Sequence, residues 1–286
     1  ASTEKLYLFD IKQEIFSAFD KLSEQGVAVH SVFSMEYDNQ GNLWIGSANG
    51  LFVYNEAKDL LKQYRKTPSP GSIPDNHVLV VYKDSSGTMW VGTRNGLAKY
   101  NESTNDFSVY ISEGTSFGRS VCNEIISLIE NTQGELWMGT WYGGLARFDK
   151  ATAQFSYYYG EGNTMAIPRI RTLFQLTANT LYIGSDDGLF TFNTTTGVCQ
   201  STNDDLSKES IYACYQDREG SIWIGTYFSG VSYLSAKHKD FEWYYNNGAG
   251  NSLSGNVVSQ FCEDPDGNIW IATENGGLNY FNPHTK

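Results

Sequence analysis

The side chains able to do chemistry are few in this sequence, and their spacing sorts them. Four histidines, His30, His77, His238 and His284, never fall at the short intervals that hold a metal ion. His30 and His77 stand fourteen and thirteen residues ahead of the aromatic anchors Trp44 and Trp90, near the starts of two successive strand patterns. Two histidines with no cysteine or carboxylate cluster beside them read as polar lining, not as ligands. Four cysteines, Cys122, Cys199, Cys214 and Cys262, are scattered without a C-x-x-C pair, so neither a metal site nor a disulfide framework follows. Cys214 and Cys262 lie in apolar strand patterns and read as small buried hydrophobes. A glycosidase needs two facing carboxylates, one of raised pKa. Asp186, Asp187, Glu209 and Glu274 are placed for that task, but in a chain with 32 acidic and 20 basic residues they read as solvated surface. No phosphate-cradling glycine loop, nucleophile elbow or basic aromatic stripe accompanies them. The expectation is a chain with no catalytic residues, no metal and no cofactor.

Aromatic side chains are abundant instead. The 286 residues include 7 Trp, 19 Tyr and 16 Phe beside 28 Gly, with only 6 Pro and 18% charged residues, a mixture that argues against disorder, coiled coil or collagen. A net charge of −12 opposes a polyanionic partner, which excludes nucleic acid binding. No apolar run approaches the roughly 18 residues of a spanning helix, so no membrane contact is expected within these residues. The sequence opens without Met and without a basic-then-apolar leader, as a mature or excised soluble piece would.

The elements that position these residues repeat along the chain. GNLWIGSANGLFVYN, GTMWVGTRNGLAKYN, GELWMGTWYGGLARFDK, NTLYIGSDDGLFTFN, GSIWIGTYFSGVSYLS and GNIWIATENGGLNYFNP are versions of one unit. Their anchors, Trp44, Trp90, Trp137, Tyr182, Trp223 and Trp270, are spaced by 46, 47, 45, 41 and 47 residues, the period of four-stranded propeller blades. Before each anchor runs a short β-branched and aromatic stretch without helical periodicity, such as 31–38 or 78–84. It ends in D-x-x-G at Asp38–Gly41, Asp84–Gly87, Asp217–Gly220 and Asp264–Gly267, where the glycine supplies the positive φ of a tight hairpin. The anchor strand, a glycine turn, a third strand and a poorer fourth strand follow. Each unit therefore reads as an antiparallel meander of strands A to D, apolar on both faces, that must stack against its neighbours.

The fold class predicted is all-β: a β-propeller with about six blades visible, either a six-bladed ring or part of a seven-bladed or longer array. One propeller region covers 1–286, with a partial blade at 1–26 (strands C and D), blades at 27–64, 75–110, 119–159, 166–201 and 208–245, and a partial blade at 255–286 (strands A, B and C). Strand C stands at both ends, so both ends read as cuts through a longer array. An N-terminal strand D beside 279–282 would close the ring. The anchors and Met35, Val81, Leu128, Leu173 and Phe261 are expected to pack between blades. The glycines after the anchors (Gly46, Gly92, Gly139, Gly184 and Gly225, with Ala272 in the last unit) fit close sheet-on-sheet approach.

The pattern G-x-[LIM]-W-[IVM]-G-T-x-x-G-L-x-x-[YF], with D-x-x-G ahead of it, resembles the two-component regulator propeller repeat over nearly the whole chain. The fourth unit departs, with Tyr182 for Trp and Ala178-Asn179 in place of the turn. The resemblance implies the periplasmic sensor region of bacterial hybrid two-component proteins, in which two propellers precede an immunoglobulin-like domain, a membrane helix, a histidine kinase and a fused regulator. Many such proteins detect fragments of polysaccharides. It thus implies an oligosaccharide ligand, the neighbouring propeller and immunoglobulin-like domain of the parent as partners, and a second copy of the chain as a dimer partner. Phosphotransfer would belong to the parent beyond these residues. The sialidase-type box S-x-D-x-G-x-x-W is the nearest enzymatic look-alike, and its spacing fails here, because Asp stands three residues before Gly and not two.

In an up-and-down blade the B–C turns and D–A connections emerge on one side and the A–B and C–D turns on the other. The A–B turns are short and alike; the B–C turns vary, and units three, five and six carry one extra residue there. Variable loops on a repeated scaffold carry recognition. The expected ligand-binding residues are Trp141, Tyr142, Tyr227 and Phe228, flat apolar surfaces for sugar rings, beside Arg94, Asn95, Asp187 and Asn275. His77, Asn76, Asn123 and Asn256, at the strand A entrances, complete the set. The competing expectation is a protein-interaction platform using the same face or the blade edges.

Overall fold

The computed structural model describes residues 6–10, 12–13, 15–20, 29–112, 123–158, 169–202, 205–236, 241–274, 276–283 and 285. Cys122, His238, His284 and Asn275 lie outside them. Two compact units divide the chain, Ala1–Tyr157 and Tyr158–Lys286.

The first unit opens with a hairpin, β1 (Tyr7–Asp10) and β2 (Ile15–Ala18), and continues with three four-stranded antiparallel sheets. These are β3 (Val32–Tyr37), β4 (Leu43–Ser47), β5 (Gly50–Asn55) and β6 (Leu60–Tyr64); β7 (Val78–Lys83), β8 (Met89–Thr93), β9 (Gly96–Asn101) and β10 (Asp106–Tyr110); and β11 (Ile125–Glu130), β12 (Leu136–Thr140), β13 (Leu145–Asp149) and β14 (Gln154–Tyr157). The second unit has β15 (Ile170–Thr177), β16 (Thr180–Ser185), β17 (Gly188–Asn193) and β18 (Cys199–Ser201), then β19 (Ile211–Gln216), β20 (Ile222–Thr226), β21 (Val231–Leu234) and β22 (Phe241–Tyr244). A three-stranded sheet, β23 (Val258–Glu263), β24 (Ile269–Thr273) and β25 (Gly277–Phe281), ends it. Every sheet is ordered as the chain runs, and no α-helix occurs among the described residues. The fold is the all-β propeller class, built of antiparallel blades.

β1 and β2 pair with each other, and among the described residues the last sheet holds three strands, β23, β24 and β25. Two expectations about burial are corrected. Met35 is 49% exposed, whereas Val81, Leu128, Leu173 and Phe261 at the same register position are buried. These four sit in strands that carry the inner edge of a covered sheet; Met35 lies on the first full blade, over a cavity of about 380 Å³ shared with Leu6, Leu8 and Phe19 of the opening hairpin. Cys262 is the other: it is exposed, not a buried hydrophobe. Burial does push the Cys214 thiol up to about 12.

Stacking of neighbouring sheets supplies the core. Trp44, Trp90, Trp137 and Trp223 are buried, and each cluster mixes residues of successive blades, as Trp223 and Val231 do with Val258, Phe261 and Ile271. A Cβ added to Gly225 would stand 2.6 Å from Val258 Cγ1, so this glycine sets how closely the last two sheets approach. One irregularity recurs at every blade. The A–B pairing shifts register one residue into strand A, at Val32/Ser34, Val78/Val80, Ile125/Ser127, Ile170/Thr172, Ile211/Ala213 and Val258/Gln260. Such a bulge re-aims the residue it skips. In the second unit the skipped residues are Arg171, Tyr212 and Ser259.

Candidate ligand face

The B–C turns are held by one device. The Ser or Thr ending each strand B turns its hydroxyl back onto the carbonyl of the glycine that opens or precedes strand C: Ser47 to Gly50, Thr93 to Gly96, Thr140 to Gly144, Ser185 to Gly188, Thr226 to Gly230 and Thr273 to Gly277, all at 2.8–3.1 Å. Between these two points the turn holds two residues or three, and their side chains are free to differ.

In the first unit, Arg94 and Trp141 meet at Glu124. The Arg94 Nε lies 3.3 Å from the Glu124 carboxylate, and the Trp141 N–H donates to the Glu124 carbonyl at 3.0 Å. Trp141 is half-buried with its edge toward the exposed Tyr142, ring centroids 6.2 Å apart. The Asn95 N–H donates to Thr93 Oγ1 and the His77 N–H to Asp75 Oδ1, 2.8 Å, so both backbones serve the turn while the side chains stay partly open.

Asn76, Asn123 and Asn256 occupy one repeat position, two residues before strand A. Their side-chain carbonyls accept the N–H groups of Lys66, Ser112 and Asn246 at 2.8, 2.8 and 2.6 Å, tying the D–A connection to the strand entrance. Asn123 also donates back to the Ser112 carbonyl and is buried. The structure gives these three side chains a scaffold bond each.

The second unit gathers more. Tyr227 stacks on Tyr212, 4.8 Å between centroids at 27°, and meets Phe228 edge-on at 4.4 Å. Phe228 is 72% exposed. The Arg171 guanidinium lies over Tyr212, 4.4 Å from the ring centroid, a cation–π contact. Arg171 Nε reaches Asp186 Oδ1 at 2.7 Å and Arg169 Nη1 reaches Asp186 Oδ2 at 2.6 Å. Burial works against the Asp186 charge, but Arg171 and Arg169 outweigh it and hold the carboxyl below its ordinary range. A glycosidase acid requires the opposite shift. Burial raises the Tyr212 hydroxyl, with Asp186 and Glu274 adding to it against Arg171. Glu209 accepts the Ser229 hydroxyl at 2.8 Å, and Asp187 is exposed.

Of the residues expected here, the structure brings together Tyr227 and Phe228. Arg169, Arg171 and Tyr212 were missed by sequence reasoning, because nothing in the periodicity marks the bulge that turns strand A residues toward the B–C turn. The signal available was an Arg and a Tyr at a position that holds Leu79, Ile126 and Phe33 in other units. Among the described residues no cluster of three or more His, Cys, Asp or Glu could hold a metal ion, and no helix is long and apolar enough to cross a membrane.

Comparison with known proteins places this arrangement. Four segments, residues 26–49, 72–95, 205–228 and 252–275, match the family Two component regulator propeller, and each spans a D–A connection, strands A and B, and the start of the B–C turn. These four segments thus carry the two-component regulator propeller repeat. No curated protein matches the sequence. Among solved structures, it is similar to the extracellular domains of two proteins assigned to hybrid two component systems of B. thetaiotaomicron. One is 24% identical over 89% of this chain and 40% of that one, TM-score 0.59; the other 19% identical over 98% and 38%, TM-score 0.71. The chain spans about 40% of the length of these relatives. A virginiamycin B lyase of Staphylococcus aureus is also similar, 11% identical over 90% of this chain and 85% of that one, TM-score 0.64. Likenesses at these identities establish the fold alone, and the fold carries both sensors and enzymes.

Proposed function

We propose that this chain is the extracytoplasmic ligand-sensing part of a hybrid two-component signalling protein, periplasmic, non-catalytic in itself, and that it recognises oligosaccharides released from polysaccharides. The repeats and the similarity to extracellular domains of hybrid two component systems support the sensor reading. One observation carries the ligand reading: the exposed Phe228 ring is braced by Tyr227, which stacks on Tyr212, in a variable turn whose next residue, Ser229, is bonded to Glu209. A sugar ring stacks its C–H face on such a surface while its hydroxyls find polar partners. Histidine kinase activity would reside in the parent, together with a neighbouring propeller and an immunoglobulin-like domain. A glycan array probed with the purified chain tests this. Binding of a defined oligosaccharide set, weakened in Phe228→Ala, supports it; cleavage of those glycans, abolished by changing one turn carboxylate, overturns it.

A second reading has its own observation. Phe33, Met35 and Tyr37 are 46%, 49% and 57% exposed along strand β3, a surface suited to another polypeptide or a second copy of the chain. Light scattering of the purified chain, with and without Met35→Glu, separates it from glycan binding.

A further inference from the structure

Two arginines on the ligand face of the second unit raise the question of what charge the ligand carries. Exposed guanidiniums would invite a uronate or sulfate by bidentate pairing. Here both converge on one carboxylate. Asp186 offers Oδ1 to Arg171 and Oδ2 to Arg169 at 2.7 and 2.6 Å, so each oxygen is already engaged by a cation. Arg171 is further occupied by the Tyr212 ring beneath it. The remaining charged groups on this side are mostly acidic. Asp187 is exposed, Glu209 is within hydrogen-bond distance of Ser229 in the Tyr227 turn, and Glu274 is exposed just past strand β24. Lys208 is a cation beside them, exposed at the end of the turn Asp205–Lys208.

Resting on the oligosaccharide reading above, we propose that this face selects uncharged oligosaccharides, and that Asp186 is the specificity-determining residue: it neutralises Arg169 and Arg171 and denies them to anionic sugars. The same contact makes Asp186 a positioning residue. By fixing Arg171 against Tyr212, it holds the ring on which Tyr227 stacks, and through Tyr227 the exposed Phe228. The long-range field points the same way, since the chain carries −12.

The test has two arms. In the first, the wild-type chain is titrated with neutral fragments (xylo-, malto- and arabino-oligosaccharides) and with oligogalacturonates and sulfated heparin disaccharides. Anionic probes should bind about tenfold or more weakly than the best neutral one, as like-charge juxtaposition dictates. Anionic binding equal to neutral binding and lost in Arg171→Gln overturns the proposal. The second arm needs no oligosaccharide. Galacturonate and inorganic sulfate are added to wild type and to Asp186→Asn, and binding is followed by thermal shift and by amide chemical shifts. Wild type should show no saturable response; Asp186→Asn should gain one, and Asp186→Asn/Arg171→Gln should lose it again. A folded Asp186→Asn that gains nothing overturns the proposal, and Asp186→Ser stands in if the Asn variant does not fold. Gain in this arm with no glycan bound in the first upholds the charge selection and rejects the oligosaccharide reading.

Discussion

The two ends of a blade are built from the same strands and obey different rules. At the A–B end, the aspartate of D-x-x-G accepts the N–H groups two and four residues on and the indole N–H of the anchor. In the second full blade these are Ser86 at 3.0, Thr88 at 3.0 and Trp90 Nε1 at 2.9 Å, and Gly87 takes a φ of 85° to close the turn. Asp38–Trp44 and Asp217–Trp223 repeat the bond. Where the third unit has Asn131 instead, the indole of Trp137 turns to Glu135 Oε2, and Asn131 keeps the backbone bonds. At the B–C end, one hydroxyl and a few backbone N–H bonds hold the turn, and the side chains of the two or three residues between are left to vary. The A–B end binds the side chain of its anchor to the turn, whereas the buried bonds of the B–C end involve only the Ser or Thr hydroxyl and backbone groups, which leaves the intervening side chains able to vary without unfolding.

Breaking the constrained end should have the largest effect. Trp223 is fully buried among Val231, Val258, Phe261 and Ile271 and donates its indole N–H to Asp217 at 2.8 Å. Trp223→Ala leaves a cavity and removes one hydrogen bond from the buried Asp217 carboxylate, which keeps the Ser221 N–H, and the expected loss is about 3–5 kcal/mol, read from the urea midpoint. A loss below that range would mean the neighbouring sheet collapses into the space.

Acid should act on the same end next. Lys150 reaches Asp84 at 2.8 Å and Glu130 at 2.5 Å. Burial opposes the Asp84 charge, but bonds from Lys150, Ser86, Trp90 and the Thr88 N–H outweigh it and lower its pKa from 3.8 to about 2. A folded-state pKa below the unfolded one gives stability that is complete above about pH 4 and is lost as pH falls toward 2. The amount at stake is about 2 kcal/mol. Urea midpoints between pH 5 and 2 should fall accordingly, and Asp84→Asn should flatten the curve.

Legibility in the sequence follows the same division. The anchors, the D-x-x-G glycines and the extra residue in turns three, five and six are all backbone or packing requirements, and each leaves a residue type at a fixed spacing. Gly134, Gly220 and Gly267 take φ of 81°, 85° and 85°, as a tight hairpin glycine must. The ligand face was legible only as a set of loops. Its strand A contributors, Arg171 and Tyr212, depend on a bulge that no residue type marks. Asn76, Asn123 and Asn256 looked like exposed polar groups because a side-chain-to-backbone bond ten or eleven residues away leaves no period in the sequence. Met35 looked buried because its strand has the pattern of the covered ones.

Between the two ends lies Tyr212, which belongs to strand A but serves the turn. Its ring is contacted by Arg171 at 4.4 Å and stacked by Tyr227 at 4.8 Å. Tyr212→Ala should cost about 1 kcal/mol, the order of a stacked aromatic pair, while weakening oligosaccharide binding several-fold by releasing Tyr227. A Tyr212→Phe variant keeps the stack and should restore both readings. Failure of Phe to rescue binding would assign the hydroxyl, not the ring, to the ligand.

The smallest stability effect is expected where the turn is most exposed. Phe228 is 72% exposed, touches Tyr227 by its edge, and sits between Thr226 and Ser229, whose bonds hold the turn without it. Phe228→Ala therefore removes little buried area, and the midpoint should stay within about 0.5 kcal/mol of wild type, as for surface positions in general. The same change should reduce glycan binding by about tenfold or more, because a stacking ring at a binding face contributes far more to the complex than to the fold. Trp141→Ala in the first unit makes the control. Trp141 is half-buried with its ring against Tyr142, so its loss removes buried area and should lower the midpoint measurably, while the backbone N–H bond to Glu124 survives the change. Equal stability costs in the two variants would remove the distinction between a turn residue that faces ligand and one that packs on the blade.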